Sequence, residues 1–141
     1  MGQLADDVAN AADKAVKLAR MRPKPLDYTE SSLEVVEKML AEAAPYYAQL
    51  SQKEVEALVQ QFGCYILEVG RRAFGGTYSW YEEKAQPVLV VGEPTFHVAM
   101  LAWDKVKGRL SGDSADNISF FYKGFADRAR SAAPGTRVLY V

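Results

Sequence analysis

Apolar residues recur every three or four positions at the start of the chain, at Leu4, Val8, Ala11, Ala15 and Leu18. This spacing predicts a first helix with a narrow, alanine-rich face that ends near Arg20 or Met21. The segment Arg22-Pro23-Lys24-Pro25 then breaks the helix, because proline lacks a backbone donor and restricts the residue before it. We therefore expect residues 1–22 to form a loosely attached helix that is available for self-association.

Two capping signals predict the next two helices. Asp27-Tyr28-Thr29-Glu30 places a capping residue three positions before a glutamate, and the apolar spacing that follows continues to Pro45. Ser51-Gln52-Lys53-Glu54 repeats the signal at the start of the longest helix, which ends at Gly75-Gly76. This third helix is apolar on most sides. A helix of that kind is surrounded by other elements, so we place it at the centre of the fold.

The apolar period changes after the double glycine. Residues 77–82 and 87–91 are predicted to form a hairpin of two strands, and residues 136–141 a third strand. A helix is expected from Thr95 or Phe96 to Leu110, and a last helix before Pro134. Together these elements predict a single α+β domain over residues 1–141. About five helices pack on a small, mainly antiparallel sheet of three strands.

Composition narrows the classes of function. The chain carries 17 Lys and Arg against 18 Asp and Glu, a net charge of −1, so charge gives no reason to expect nucleic acid or an anionic membrane as partner. No apolar run approaches the roughly 20 residues that cross a bilayer, and no signal peptide is recognised. The single cysteine, Cys64, fits a reducing compartment. We expect a cytoplasmic protein.

Glu68, Arg71 and Arg72 are the first candidate site. They lie three and four residues apart on the third helix, so the carboxylate can pair with either guanidinium. The trio is either a binding site for an anionic group or a charged partner, or a structural ion pair at the helix end. We favour the structural ion pair.

Trp80 and Tyr81 are the second candidate site. Both belong to the predicted strand after the double glycine, and their side chains point to opposite faces of it. Tryptophan and tyrosine are enriched at protein interfaces, but they also fill sheets that helices cover. We assign Trp80 to the core and Tyr81 to the surface.

No catalytic, metal or cofactor site is predicted. Cys64 lies in an apolar stretch without a neighbouring base, and no carboxylate follows His97 in sequence until Asp104. One cysteine and one histidine do not make a zinc site of thiolates and imidazoles. The glycines between Gly70 and Gly76 follow a helix and lack the lysine and hydroxyl residue of a P-loop.

Five short segments between residues 26 and 91 form a recognisable pattern: Leu26-Asp27-Tyr28-Thr29-Glu30-Ser31-Ser32-Leu33, Phe62-Gly63-Cys64-Tyr65, Glu68-Val69, Gly75-Gly76 and Trp80. The pattern resembles a widespread family of small uncharacterised bacterial domains. These have a Leu-Asp-Tyr-Ser helix start, a Gly-Ala-Tyr-Leu-Gly-Glu-Val helix and a Gly-Gly-x-Trp strand. Leu67 replaces the second glycine of that helix, and Cys64 stands where alanine is commoner. The family's likeness to immunity and accessory proteins of bacterial toxin systems implies a protein-binding role.

Three functions remain open at this point. The leading one is a non-enzymatic protein-binding domain, an immunity or adaptor protein. The second is a small ligand-binding domain or enzyme that uses Glu68 with Arg71 or Arg72 in a pocket beside Trp80. The third is a structural protein that self-associates through its first helix. We expect a protein partner or a second copy of the chain in the first and third cases.

Overall fold

Five α-helices and four β-strands make up residues 2–141, the part of the chain that this computed structural model describes. The helices are α1 (Gly2–Leu18), α2 (Leu33–Ala43), α3 (Gln52–Phe74), α4 (Trp103–Leu110) and α5 (Ile118–Ser131). The strands are β1 (Thr77–Tyr81), β2 (Gln86–Val91), β3 (His97–Met100) and β4 (Arg137–Tyr140). The α+β class is therefore confirmed.

The sheet is mixed and has the order β1-β2-β3-β4. β1, β2 and β3 are antiparallel neighbours, whereas β4 lies parallel to β3, with Arg137 beside His97 and Tyr140 beside Met100. The predicted hairpin and terminal strand are confirmed. The helix predicted to end at Leu110 begins only at Trp103, so its predicted start at Thr95 or Phe96 was wrong, and with it the prediction of three strands. Residues 98–100 pair on both sides, and this long-range pairing outweighs the helix-like spacing of a short apolar run.

α3 lies at the centre of the fold, as its pattern predicts. Three consecutive residues, Tyr65, Ile66 and Leu67, are fully buried in the main core. Ser51 and Glu54 form the predicted reciprocal cap at its start. At its end Gly75 has a φ of 76°, a value that side chains disfavour, so glycine allows the chain to turn into β1.

α1 packs directly against this core. Val8, Ala12 and Ala15 are buried, and so is Ala19 just beyond the helix. The small side chains of the alanines allow the backbones of α1 and α3 to approach each other closely. This packing contradicts the expectation of a loosely attached helix. Leu18, which we assigned to the packed face, is 52% exposed.

The predicted cap at the start of α2 is wrong in part. Asp27 accepts hydrogen bonds from the backbone and hydroxyl of Thr29, at 3.1 and 2.6 Å. Glu30 lies in a single 3₁₀ turn before α2 and reaches α5, where it accepts hydrogen bonds from the hydroxyl of Tyr122 and from Arg130. It therefore joins two distant segments, a role that local spacing does not indicate.

Glu37 ties three helices together. Its carboxylate accepts hydrogen bonds from Nε of Arg109 in α4, at 2.7 Å, and from the backbone N–H of Ile118 at the start of α5, at 2.9 Å. Both side chains of the Glu37–Arg109 pair are largely shielded from solvent. The pair fixes the positions of α4 and α5, the two helices that carry the chain from β3 to β4.

Candidate functional site

Glu68 lies near the C-terminal end of α3 with its side chain almost fully buried. Arg71 donates two hydrogen bonds to the carboxylate, at 2.8 and 3.1 Å, and the hydroxyl of Tyr78 in β1 donates a third at 2.6 Å. Nε of Arg72 lies 3.6 Å from Oε1 of the same carboxylate. The structure therefore brings the three predicted residues together and adds Tyr78.

Both charges and hydrogen bonds set the ionisation of this cluster. Burial raises the pKa of Glu68, but the hydrogen bonds from Arg71 and Tyr78 and the two positive charges outweigh burial and leave that pKa below its ordinary value. Burial and the adjacent carboxylate raise the pKa of Tyr78 far above its ordinary value. Glu68 is thus held as an anion and Tyr78 as a neutral donor. This arrangement does not provide a proton at neutral pH.

Arg72 joins the cluster to the loop before α2. Its guanidinium lies 3.6 Å from the centre of the Tyr28 ring, a cation–π contact, and Tyr28 stacks at a tilt on Tyr65. The hydroxyl of Tyr65 accepts a hydrogen bond from the backbone of Tyr28, at 2.8 Å, and lies 2.6 Å from the hydroxyl of Ser32. Among residues 2–141, the one buried side-chain polar atom without a hydrogen-bond partner lies outside this cluster, in Trp103. The geometry agrees with a structural ion pair.

Neither Trp80 nor Tyr81 belongs to the main core. Trp80 is 47% exposed, whereas Tyr81 is partly buried against Val88 and Leu101. Tyr78 and Trp80 lie two positions apart on β1 and therefore share one face of it. Tyr78 is the inward residue of the two, because its hydroxyl reaches Glu68 in α3. Trp80 pairs with Pro87 near the end of the ladder, where the helices no longer cover the strand. The assignment of Trp80 to the core was wrong.

The helices cover one face of the sheet and leave the other without a covering element. The covered face carries Leu89, Val91 and Met100, which belong to the main core. The opposite face carries a separate small cluster of Val88, Ala99 and Leu101. A groove of about 440 Å³ runs across this uncovered face. Its lining residues are Ser79, Tyr81, Val88, Val90, His97, Ala99, Arg137, Val138 and Leu139.

One end of the sheet groove is polar. His97 and Arg137 are paired in register there, and Nδ1 of His97 lies 3.1 Å from a carboxylate oxygen of Glu93. Arg137 is exposed and has no hydrogen bond or ion pair with any of residues 2–141. The next outward position of β4 is Leu139, 38% exposed. The sheet groove thus combines an apolar floor with one unengaged cation.

A second groove, of about 670 Å³, lies between α3 and α4. Its wall includes Trp103, whose indole lies against the backbone of Gly63 in α3. Nε1 of Trp103 is buried and has no hydrogen-bond partner among residues 2–141. Burial raises the pKa of the thiol of Cys64, the residue after Gly63, to about 12. Such a thiol is not an activated nucleophile.

Within residues 2–141 the side chains form no cluster of three or more His, Cys, Asp or Glu residues suited to a metal ion. Over the same residues, no helix combines the length and the apolar character needed to span a membrane.

The chain matches no protein-family model, no curated protein and no solved structure.

Proposed function

We propose that the chain is a non-enzymatic protein-binding domain that acts in the cytoplasm, of the kind that serves as an immunity or adaptor protein in bacteria. One observation carries the proposal: no helix covers the face of the sheet opposite α3, and two apolar side chains on it, Val90 and Leu139, reach solvent. Val88, Val90 and Leu139 lie on that face. A sheet face that is permanently solvated normally carries polar residues, in alternation with the core positions.

The pattern of β2 supports this interpretation. Pro87, Val88, Leu89, Val90 and Val91 form a continuous apolar run, and four of the five are buried. Continuous apolar runs are typical of strands that are covered on both faces. Here α3 and its neighbours supply only one cover. Val90, the half-buried member of the run, faces the side that a protein partner would cover.

The two alternative functions find less support. Glu68, Arg71 and Arg72 converge, but each carboxylate oxygen is already engaged, and Trp80 is exposed on a strand rather than beside an open cavity. Self-association through α1 would require the stripe of Leu4, Val8 and Ala15, and both Val8 and Ala15 are buried within the chain. We therefore place the binding surface on the sheet.

Site-specific photocrosslinking tests the proposal. A benzophenone side chain replaces Ser79 on the uncovered face in one variant, and Phe120, which is 77% exposed on α5, in a matched control. Products of genes adjacent to the one that encodes this chain are co-expressed with each variant. We expect one product to crosslink from position 79 only, and to bind the purified unmodified chain in calorimetry. Crosslinking from position 120 alone, or no binding by any product, would contradict the proposal.

A further inference from the structure

β4 is the outer strand on its side of the sheet, and its far edge is open. The backbone of His97 donates to the carbonyl of Thr136, and that of Leu101 donates to the carbonyl of Tyr140, at 2.8 Å each. In a parallel ladder, alternate residues of a strand bond to the same neighbour. The N–H and C=O groups of Arg137 and Leu139 therefore point away from β3, and neither residue makes a backbone hydrogen bond to a turn, loop or cap among residues 2–141.

The side chains of the same two residues define what the edge can accept. Arg137 and Leu139 lie two positions apart on β4, so they project to the same face, where both line the sheet groove. The guanidinium of Arg137 forms no ion pair with any carboxylate of residues 2–141, and the carboxylate of Glu93 lies beside His97. Leu139 continues the apolar row formed by Val90 and Ala99 across β2 and β3.

We infer that the partner binds by adding an extended segment to the open edge of β4, with an acidic residue opposite Arg137 and an aliphatic residue two positions away, opposite Leu139. This inference rests on the proposed function, because it names the chemistry of the partner. Strand addition supplies backbone hydrogen bonds, and alternate side chains supply the specificity. The partner's carboxylate pairs with the free guanidinium, and its aliphatic side chain extends the apolar floor of the sheet groove.

A peptide titration tests the inference on the full chain. The probe is the peptide Ac-Thr-Val-Thr-Glu-Thr-Val-Thr-NH2, which places Glu and Val correctly in either strand direction. The control peptide has Lys in place of Glu. With ¹⁵N-labelled protein, we expect the largest amide shifts at Arg137 and Leu139 and at least fivefold weaker binding of the Lys peptide. Equal binding of both peptides, or shifts centred on the groove beside Trp103, would overturn the inference.

Two further measurements separate edge pairing from a simple charge contact. Methylation of every second peptide amide should abolish binding for one alternating set and spare it for the other, because only one set faces β4. The charge reversal Arg137→Glu should exchange the preference, so that the Lys peptide binds more tightly. If both methylated peptides bind as well as the parent, the segment is not added as a strand.

A competing explanation is that Arg137 prevents pairing at the open edge of β4. Charged residues on edge strands also prevent unwanted pairing between copies of a chain. If Arg137→Ala produces a dimer in gel filtration, with β4 protected from hydrogen exchange, then Arg137 blocks the edge and the inference fails. A monomeric Arg137→Ala variant that binds the Glu peptide at least fivefold more weakly supports it.

The proposed function and this inference fail in distinguishable ways. If a partner crosslinks from position 79 and its binding is unaffected by Arg137→Glu, the uncovered face is the binding surface but the strand addition is wrong. If no partner crosslinks there, the proposed function fails, whatever the peptides do.

Discussion

The hydroxyl of Tyr78 in β1 donates a 2.6 Å hydrogen bond to the buried carboxylate of Glu68 in α3. This contact fixes the first strand of the sheet to the central helix, across the turn made by Gly75 and Gly76. Because Arg71 bonds to the same carboxylate, the side chain of Glu68 stabilises both the end of α3 and the position of β1.

The first prediction concerns the charge of Glu68. Its pKa is lowered in the folded chain, so its contribution to stability is complete above the unfolded value of about 4.3 and declines as the pH falls through the folded value. We expect Glu68→Gln to lower the free energy of unfolding by about 1–3 kcal/mol at pH 7, because the arginines are partly solvated. The difference from the unmodified chain should shrink below about pH 4.

Urea unfolding at several pH values measures this effect. Glu83→Gln is the matched control, since Glu83 is exposed and has no recorded ion pair among residues 2–141. We expect that control to change stability by less than about 0.5 kcal/mol. A difference for Glu68→Gln that stays constant from pH 7 to pH 3 would contradict the assignment of an ionised, hydrogen-bonded carboxylate.

The second prediction compares two helix glycines. A Cβ atom at Gly63 would lie 2.3 Å from Cδ1 of Trp103, whereas one at Gly124 would lie 3.4 Å from the ring of Tyr140. We expect Gly63→Ala to cost about 1–3 kcal/mol, because the indole must move. Gly124→Ala should instead stabilise the chain by about 0.5–1 kcal/mol through helix propensity. Thermal unfolding distinguishes the two, and equal effects would contradict the contact of Trp103 with α3.

The third prediction concerns α1. Ala12 is fully buried and Asn10 is exposed on the same helix. Ala12→Leu should therefore cost about 1–3 kcal/mol by overpacking, whereas Asn10→Leu should change stability by less than about 0.5 kcal/mol. We also expect a chain that lacks residues 2–22 to lose its cooperative thermal transition. A cooperative transition in that shortened chain would show that α1 is dispensable for the core.

The fourth prediction concerns the thiol of Cys64. Its pKa of about 12 leaves almost no thiolate at pH 8, so the native chain should react slowly with iodoacetamide and the unfolded chain quickly. Cys64→Ala should cost about 1 kcal/mol and leave partner binding unchanged. Rapid labelling of the native chain near neutral pH would instead indicate an activated cysteine.

Local spacing was a good guide to the helices and a weaker guide to the sheet. The cap at Ser51 and the apolar period of α3 are local signals, and both were confirmed. β3 spans only His97–Met100, which is too short for a strand period to be distinguished from a helical one. Its identity depends on pairing with β4, a partner that lies far away in sequence.

The contacts of the charged side chains also divide into local ones, which the sequence predicts, and long-range ones, which it does not. The pairing of Glu68 with Arg71 follows from helix spacing, so the sequence could predict it. The bonds from Tyr78 to Glu68 and from Tyr122 to Glu30 join different elements, so no periodic signal encodes them. The spacing of Arg137 and Leu139, two positions apart on the last strand, was the one available signal of the face of β4 that points away from the helices. That signal becomes meaningful only once the helices are known to lie on the other face of the sheet.

The parallel pairing of β3 with β4 also determines when the proposed docking edge first exists during folding. His97 and Arg137 are about 40 positions apart, and α4 and α5 must both be in place before they can meet. Contacts of such long sequence separation carry a large loop-closure cost and form late. A chain with a misfolded helical crossover would present no β4 edge. A partner that recognises this edge would therefore discriminate between finished and unfinished copies of the domain.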